Sequence, residues 1–286
     1  LRAKTRAGDV VSTASFPEMF RFLAPHLLSA RNRPRLVYEV HQLEMLTRDR
    51  KHRKCRREFE ALGFADHLMT TCLPLEKILA ENFPSLPCDN IGLAVTYPSV
   101  SSTPVQSKAL RIGYFGSISE EQGIPWIIEN WNAIRALSHQ KHELHIYGRM
   151  RRGEVAPSEA KEDGIYIHEP VPSNEVPLAC QNLDALVIPP LDMAHRAHIA
   201  FTKAYDYAGL ALPILASDLP TIREVLETET HALYFAPGSR EGLAEAIRRL
   251  SANPDLRRMI TANLKDRASF FSWDNRARRW WEIFAQ

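Results

Sequence analysis

The feature that most restricts this chain is an alternation, in which short β-rich runs and helical patterns take turns almost from end to end. LVYEVH (36–41) reads as a strand, 48–62 as a helix, HLMTT (67–71) as a strand and LPLEKILAENF (73–83) as a helix. The order restarts after TYPSVSSTPVQS (96–107), a Pro/Ser-rich stretch that punctuates like a linker between domains. LRIGYFGS (110–117) is a strand and turn, and IPWIIENWNAIRAL (124–137) a helix with apolar residues at helical spacing. ELHIYG (143–148) and GIYIHE (164–169) are strands, NEVPLAC (174–180) a short helix and ALVIPP (185–190) a strand. FTKAYDYAGLALPILASD (201–218) reads as loop, helix, glycine stop and apolar strand. TIREVLE (221–227) and HALYFAP (231–237) come next, then helices at 239–251, 254–268 and 275–286.

Strands alternating with helices predict parallel sheets with helices on both faces. Two such runs predict an α/β chain of two doubly wound, Rossmann-like domains facing a cleft, over 1–98 and 110–270, joined by a linker at 99–109. Ligands of such sheets bind at the carboxyl ends of strands, where helix N-termini point. The first half shows only two clear strands, so its opening strands are expected to be missing and that domain to be incomplete.

Composition removes several function classes. A formal charge of +2 over 286 residues gives no global attraction to nucleic acid, so an electrostatic partner must be met by local patches. Cys55, Cys72, Cys88 and Cys180 lie far apart with no CxxC pair, which argues against a metal or disulfide framework and for reduced, cytosolic thiols. No apolar run approaches the roughly 18–20 residues of a membrane span.

The chemistry concentrates at strand ends. In YFGSISEEQGI (114–124), Gly116 directly follows a strand and Gly123 precedes a helix. Glycine lets a backbone pass close to a ligand, and free amides at the next helix N-terminus favour phosphate; a simple packing turn is the alternative. In FTKAYDYAG, Thr202 is placed to cap a helix whose first amides include those of Lys203 and Ala204. A helix N-terminus favours anions and an adjacent ammonium strengthens that preference. Asp206, on the same face as Lys203, is a carboxylate able to accept from two ligand hydroxyls. Phosphate plus diol is what a nucleotide sugar offers; a local Lys203–Asp206 ion pair is the competing reading.

The second half resembles the donor-binding domain of GT-B glycosyltransferases, in the large retaining group that includes sucrose, glycogen and mannosyl transferases. The pieces that carry the resemblance come in order over 110–286: RIGYFGSISEEQGI, HELHIYG, HEPVPSNEVPLACQNLDALVIPP, KAYDYAGLALPILASD, IREVLE and ALYFAPGSREGLAEAI. The ending FSWDNRARRWWEIF (within 271–286) resembles the C-terminal helix that crosses back onto the first domain in that fold. The resemblance implies that Asp206 stands where a glutamate holds the donor ribose, and that His198 occupies the position of an earlier glutamate near the sugar. Family members carry an arginine after the glycine turn and a lysine before the next glycine; this chain has Ser117 and Gln122 there. Cationic help on the diphosphate then falls to Lys203, or to Arg149 after HIYGRM. Backbone around Val171 and Pro172 resembles the segment that reads the base, with a plain strand-end turn as the alternative. LVYEVHQLE resembles the strand that ends in the family's active-site histidine, which makes His41 the catalytic candidate, with Glu39 on the same strand face and Glu44 nearby.

The resemblance thus implies a hexosyltransferase that moves a sugar from a nucleoside diphosphate-sugar, a substrate, to a saccharide or lipid-linked acceptor, with no obligatory metal or other cofactor. Two rivals stand beside it: a sugar-nucleotide epimerase on the same fold, and a non-catalytic binding or partner subunit. RDRKHRKCRR (48–57), with seven Arg or Lys in ten residues, admits two readings. It is either a peripheral contact with anionic lipid on the inner membrane face or a solvated helix face balanced by Glu58 and Glu60. Aromatic residues do not interleave the charges, which argues against nucleic acid. A cytoplasmic protein is expected.

Overall fold

The computed structural model describes residues 9–14, 16–29, 32–46, 48–49, 51–97, 109–150, 164–192 and 197–284. The linker expected at 99–109 lies, apart from Ala109, outside them. The chain divides into two compact units: one within 1–93, 194–200 and 276–286, the other within 94–193 and 201–275.

The first unit is a four-stranded parallel sheet in the order β1-β2-β3-β4, with β1 Val10–Ala14, β2 Arg35–Val40, β3 His67–Thr70 and β4 Cys88–Asn90. Two of these strands, β1 and β4, correct the sequence reading, which finds only the central pair. Both missed strands are edges, partly buried and polar in part (VVSTA and CDN), so neither shows the apolar run that marks β2 and β3. Helix α1 (Pro17–Leu28) is a further addition. Helix α2 (Arg53–Leu62) starts later than the expected residue 48. The reason is local: Asp49 accepts from the Lys51 amide at 2.7 Å, and His52 Nδ1 caps the helix by accepting from Lys54 N at 3.2 Å. α3 spans Leu73–Asn82.

Strand alternation sorts the core of this unit onto two faces. Leu36, Tyr38 and Val40 pack with Phe20, Leu27, Leu62, Leu75 and Leu79 from α1, α2 and α3. Val37 and Met69, with Ile91, face Trp280, Ile283 and Phe284 of the last helix. Each fully buried aliphatic side chain contributes about 1.5–3 kcal/mol, so both covers matter.

The second unit holds six parallel strands in the order β10-β9-β8-β5-β6-β7. These are β5 Arg111–Phe115, β6 Glu143–Tyr147, β7 Ile165–His168, β8 Ala185–Ile188, β9 Ile214–Ser217 and β10 Ala232–Phe235. Between and after them run α4 (Ile124–Ser138), α5 (Val176–Cys180), α6 (Thr202–Leu210), α7 (Pro220–Arg223), α8 (Arg240–Ala252), α9 (Pro254–Phe270) and α10 (Trp273–Phe284). α10 begins two residues earlier than its sequence reading, and from Arg276 onward it belongs to the first unit. α4 packs on α8 and α6 on α9. β8 and β9 are buried at every position, as strands covered on both faces must be.

Candidate functional site

In the second unit the strand–glycine–helix turn and the start of α6 meet. β5 ends at Phe115, and Gly116 takes φ 142°, donating its amide to the Tyr147 carbonyl at 3.0 Å. A side chain at Gly116 would stand 2.8 Å from Lys203 Nζ. The ammonium therefore lies over the glycine backbone, in the space that only glycine leaves open. Lys203 also sits 5.2 Å from the centre of the Tyr114 ring, a cation–π distance, and the Tyr114 hydroxyl donates to the Ser117 carbonyl at 3.0 Å. Buried Tyr207 ties α6 to this strand by accepting from the Phe115 amide at 2.9 Å. Gly116, Ser117 and Lys203 are thus brought together.

Gln122 closes a short turn, Glu120–Gln122, after which Gly123 enters α4 at φ 71°. A Cβ on Gly123 would fall 1.8 Å from the Pro189 carbonyl oxygen at the end of β8, so the position requires glycine both for its dihedral and for space.

Thr202 is not the cap of α6. It is the first helical residue, Phe201 precedes it in extended conformation, and no side chain caps the end. The hydroxyl one residue too far in cannot reach back to the first-turn amides as a cap does.

Asp206 is half-buried. Burial pushes its carboxyl up, while hydrogen bonds from the Thr96 hydroxyl and amide and the charge of Lys203 oppose the rise. Thr96, which sequence reasoning missed, is therefore its chief partner. The Tyr97 hydroxyl in turn hydrogen-bonds Ser173, two residues beyond Val171, and Val95 N donates to the Phe271 carbonyl at 2.9 Å. Residues 95–97 thus link α6, the loop after β7 and the end of α9. Arg149 is turned to Glu169, with two bonds of 3.1 and 2.8 Å and both side chains more than three-quarters exposed.

In the first unit His41 follows β2, with Nε2 2.8 Å from Glu39 Oε1. Arg276 Nη2 donates to the same oxygen at 2.6 Å, and its Nε to the Gly92 carbonyl at 3.0 Å. Burial would raise Glu39, yet the bonds from His41 and Arg276 and their charge leave its carboxyl below the ordinary value. Alternation in the sequence pairs Glu39 with His41; nothing local points to Arg276, more than two hundred residues on. Glu44 turns away from this group: its amide donates to Glu58 at 3.1 and 2.9 Å and its carboxylate pairs with Arg48 at 2.7 Å. His198 also belongs to the first unit, where its carbonyl accepts from Cys72 Sγ at 3.3 Å and its buried Nδ1 has no partner among the described residues. Among the described residues no three His, Cys, Asp or Glu side chains cluster as a metal would require.

Residues 109–253 match the family model described as glycosyl transferases group 1. Solved structures similar over nearly the whole chain include sucrose-phosphate synthase from Thermosynechococcus elongatus, at 14% identity, TM-score 0.70 and 97% of this chain against 73% of that one. HepE of Anabaena in complex with UDP and glucose matches at 14%, 0.73 and 97% against 78%. The pneumococcal O-GlcNAc transferase GtfA in complex with UDP and GlcNAc matches at 13%, 0.69 and 99%, and this chain spans 57% of its length. At these identities the likeness speaks for the fold, the two-sheet α/β architecture of GT-B. No curated protein matches the chain.

Proposed function

Since this chain belongs to the group 1 glycosyl transferases, we propose that it moves a hexose-like sugar from a nucleoside diphosphate-sugar to a saccharide or lipid-linked acceptor, with retention at the anomeric carbon. The observation that carries the donor assignment is the Lys203 ammonium lying over Gly116 at the end of β5. A cation beside an open glycine backbone and a helix N-terminus is a setting for a diphosphate. Neighbours of the same fold crystallised with UDP, or with UDP and a sugar, support a donor of that class.

In this reading Lys203 and main-chain amides take up charge as the bond from anomeric carbon to phosphate oxygen breaks. The acceptor hydroxyl attacks from the face the phosphate leaves, and its proton passes to the departing phosphate. His41 contacts the sugar or the leaving phosphate. Asp206 holds the ribose diol: a carboxylate has about four acceptor positions, so the two bonds from Thr96 leave room for two more. With Lys203 and the amides on the phosphates, neither a metal nor another cofactor is obligatory.

The test is a thermal-shift screen of UDP-, GDP-, ADP- and dTDP-sugars, because a bound donor raises apparent stability by mass action. One donor should raise the melting temperature of the wild type. Lys203→Ala should weaken its binding roughly 10- to 100-fold, the equivalent of one charge-assisted bond at about 1.5–3 kcal/mol. Unchanged affinity in that variant would remove Lys203 from the site.

Contact with a membrane surface is part of the proposal. Phe16, just before α1, and Met19 and Phe22 on it are exposed, and α1 packs along α2 through Arg57–Glu18 and Arg21–Glu60 at 2.8 and 3.3 Å. α2 exposes Arg53, Lys54 and Arg56. An apolar stripe beside a basic helix suits an anionic lipid surface. No helix among the described residues is long and apolar enough to cross a membrane. Co-sedimentation with phosphatidylglycerol vesicles, but not with phosphatidylcholine vesicles, is the expected result.

A further inference from the structure

The group around His41 fixes more than the position of a ring. Val37 and Glu39 share a face of β2, and α10 covers that face through Trp280, Ile283 and Phe284. Arg276 and Arg279 anchor the same helix to the carbonyls of Gly92 and Ile91, each at 3.0 Å. The Glu39 carboxylate is therefore buried beneath a bolted helix, with Arg276 on the same oxygen that meets His41 Nε2.

An ionised carboxylate can only accept hydrogen bonds. The proton shared by Glu39 and His41 consequently sits on Nε2, and in the neutral ring Nδ1 is left with a lone pair. None of the described residues bonds to Nδ1, and the imidazole keeps 41% of its surface exposed. Resting on the reading of His41 given above, we propose that Glu39, clamped by Arg276, is a positioning residue that keeps neutral His41 protonated on Nε2 and presents Nδ1 as an acceptor for a sugar hydroxyl. A carboxylate on one ring nitrogen decides what the other can do. Arg276 offsets part of the Glu39 charge and fixes its orientation, so Glu39 serves as a stationary acceptor.

The experiment is a long-range proton–nitrogen spectrum of the histidine rings in the nitrogen-15 labelled full chain, at alkaline pH, with His41→Ala to assign its signals. Wild type should show one Nε2-protonated form. Glu39→Ala should lose it, giving the averaged tautomer mixture of a peptide LVYEVHQLE. Glu39→Gln, whose amide oxygen still accepts, should retain it. An Nδ1-protonated ring in wild type overturns the proposal, as does a wild-type spectrum matching the peptide. A Glu39→Ala spectrum like wild type does the same, because a purely structural Glu39 would leave the tautomer unmoved. If Glu39→Ala does not fold, the wild-type and peptide spectra decide alone. The reading of His41 as a sugar contact fails elsewhere, by undiminished sugar transfer in His41→Ala, so the two failures are told apart.

Discussion

The candidate group of the first unit is a buried network of side chains, and that of the second is built on a glycine turn. In the first, carboxylates are buried and held by polar partners: Glu39 by neighbouring His41 and distant Arg276, and Glu58 by the amide of Glu44. In the second, which also buries Asp184 against the Arg111 amide, the candidate group is a partly buried turn of main chain, with one ammonium laid over Gly116 and a second glycine wedged against Pro189. The first unit works through side-chain networks, in which each member depends on the others. The glycine turn of the second works through backbone shape, which tolerates many neighbours but few replacements at the glycines.

That contrast can be broken most forcefully at Gly123. Gly123→Ala places a Cβ 1.8 Å from a main-chain oxygen at φ 71°, where the dihedral alone costs about 1–2 kcal/mol and the clash cannot be relieved by a rotamer. A loss on the order of 3–5 kcal/mol, or failure to fold, is expected. Denaturant unfolding that shows less than about 1 kcal/mol would mean the backbone of the second unit is not the rigid element described.

The next effect belongs to the first unit. Burial pushes Glu58 up to about 7, against the opposing bonds from the amides of Glu44 and Met45. A carboxyl whose folded value lies above its unfolded one binds its proton more tightly in the native state. Its contribution is thus full below the unfolded value of 4.5 and is lost as pH rises through 7. The loss across that window is up to about 3 kcal/mol. Glu58→Gln should remove this part of the slope, as urea midpoints at pH 4.5 and pH 8 would register. An identical slope in the variant would show that Glu58 does not titrate in the window.

The smallest expected effect lies on the surface of the second unit. Arg149 and Glu169 form an exposed pair, and such pairs are worth about 0–1 kcal/mol. Arg149→Ala should cost less than about 0.5 kcal/mol in the same unfolding experiment. A larger loss would mean that this pair contributes more than its exposure allows.

The same contrast explains what can be read from the sequence. The buried strands of the second unit announce themselves as apolar runs, and a glycine after a strand is a local signal, so Gly116 and Lys203 were both legible. Edge strands such as VVSTA and CDN face water on one side and lose that signature. The late start of α2 depends on His52 acting as a cap, a residue with no strong capping preference. Thr96 and Arg276 were illegible for a different reason: their roles come from tertiary proximity to Asp206 and Glu39, and no spacing rule connects them.

The division of α10 between the units bears on how the chain is made. Synthesis proceeds from the amino end, so the whole second unit has left the ribosome before the residues that shield Val37, Met69 and Ile91 emerge. Until then one side of the first sheet is bare and Glu39 lacks its guanidinium. The unit encoded first is completed only when the segment from Arg276 onward docks, and that docking is the step that ends its exposure to chaperones and to aggregation.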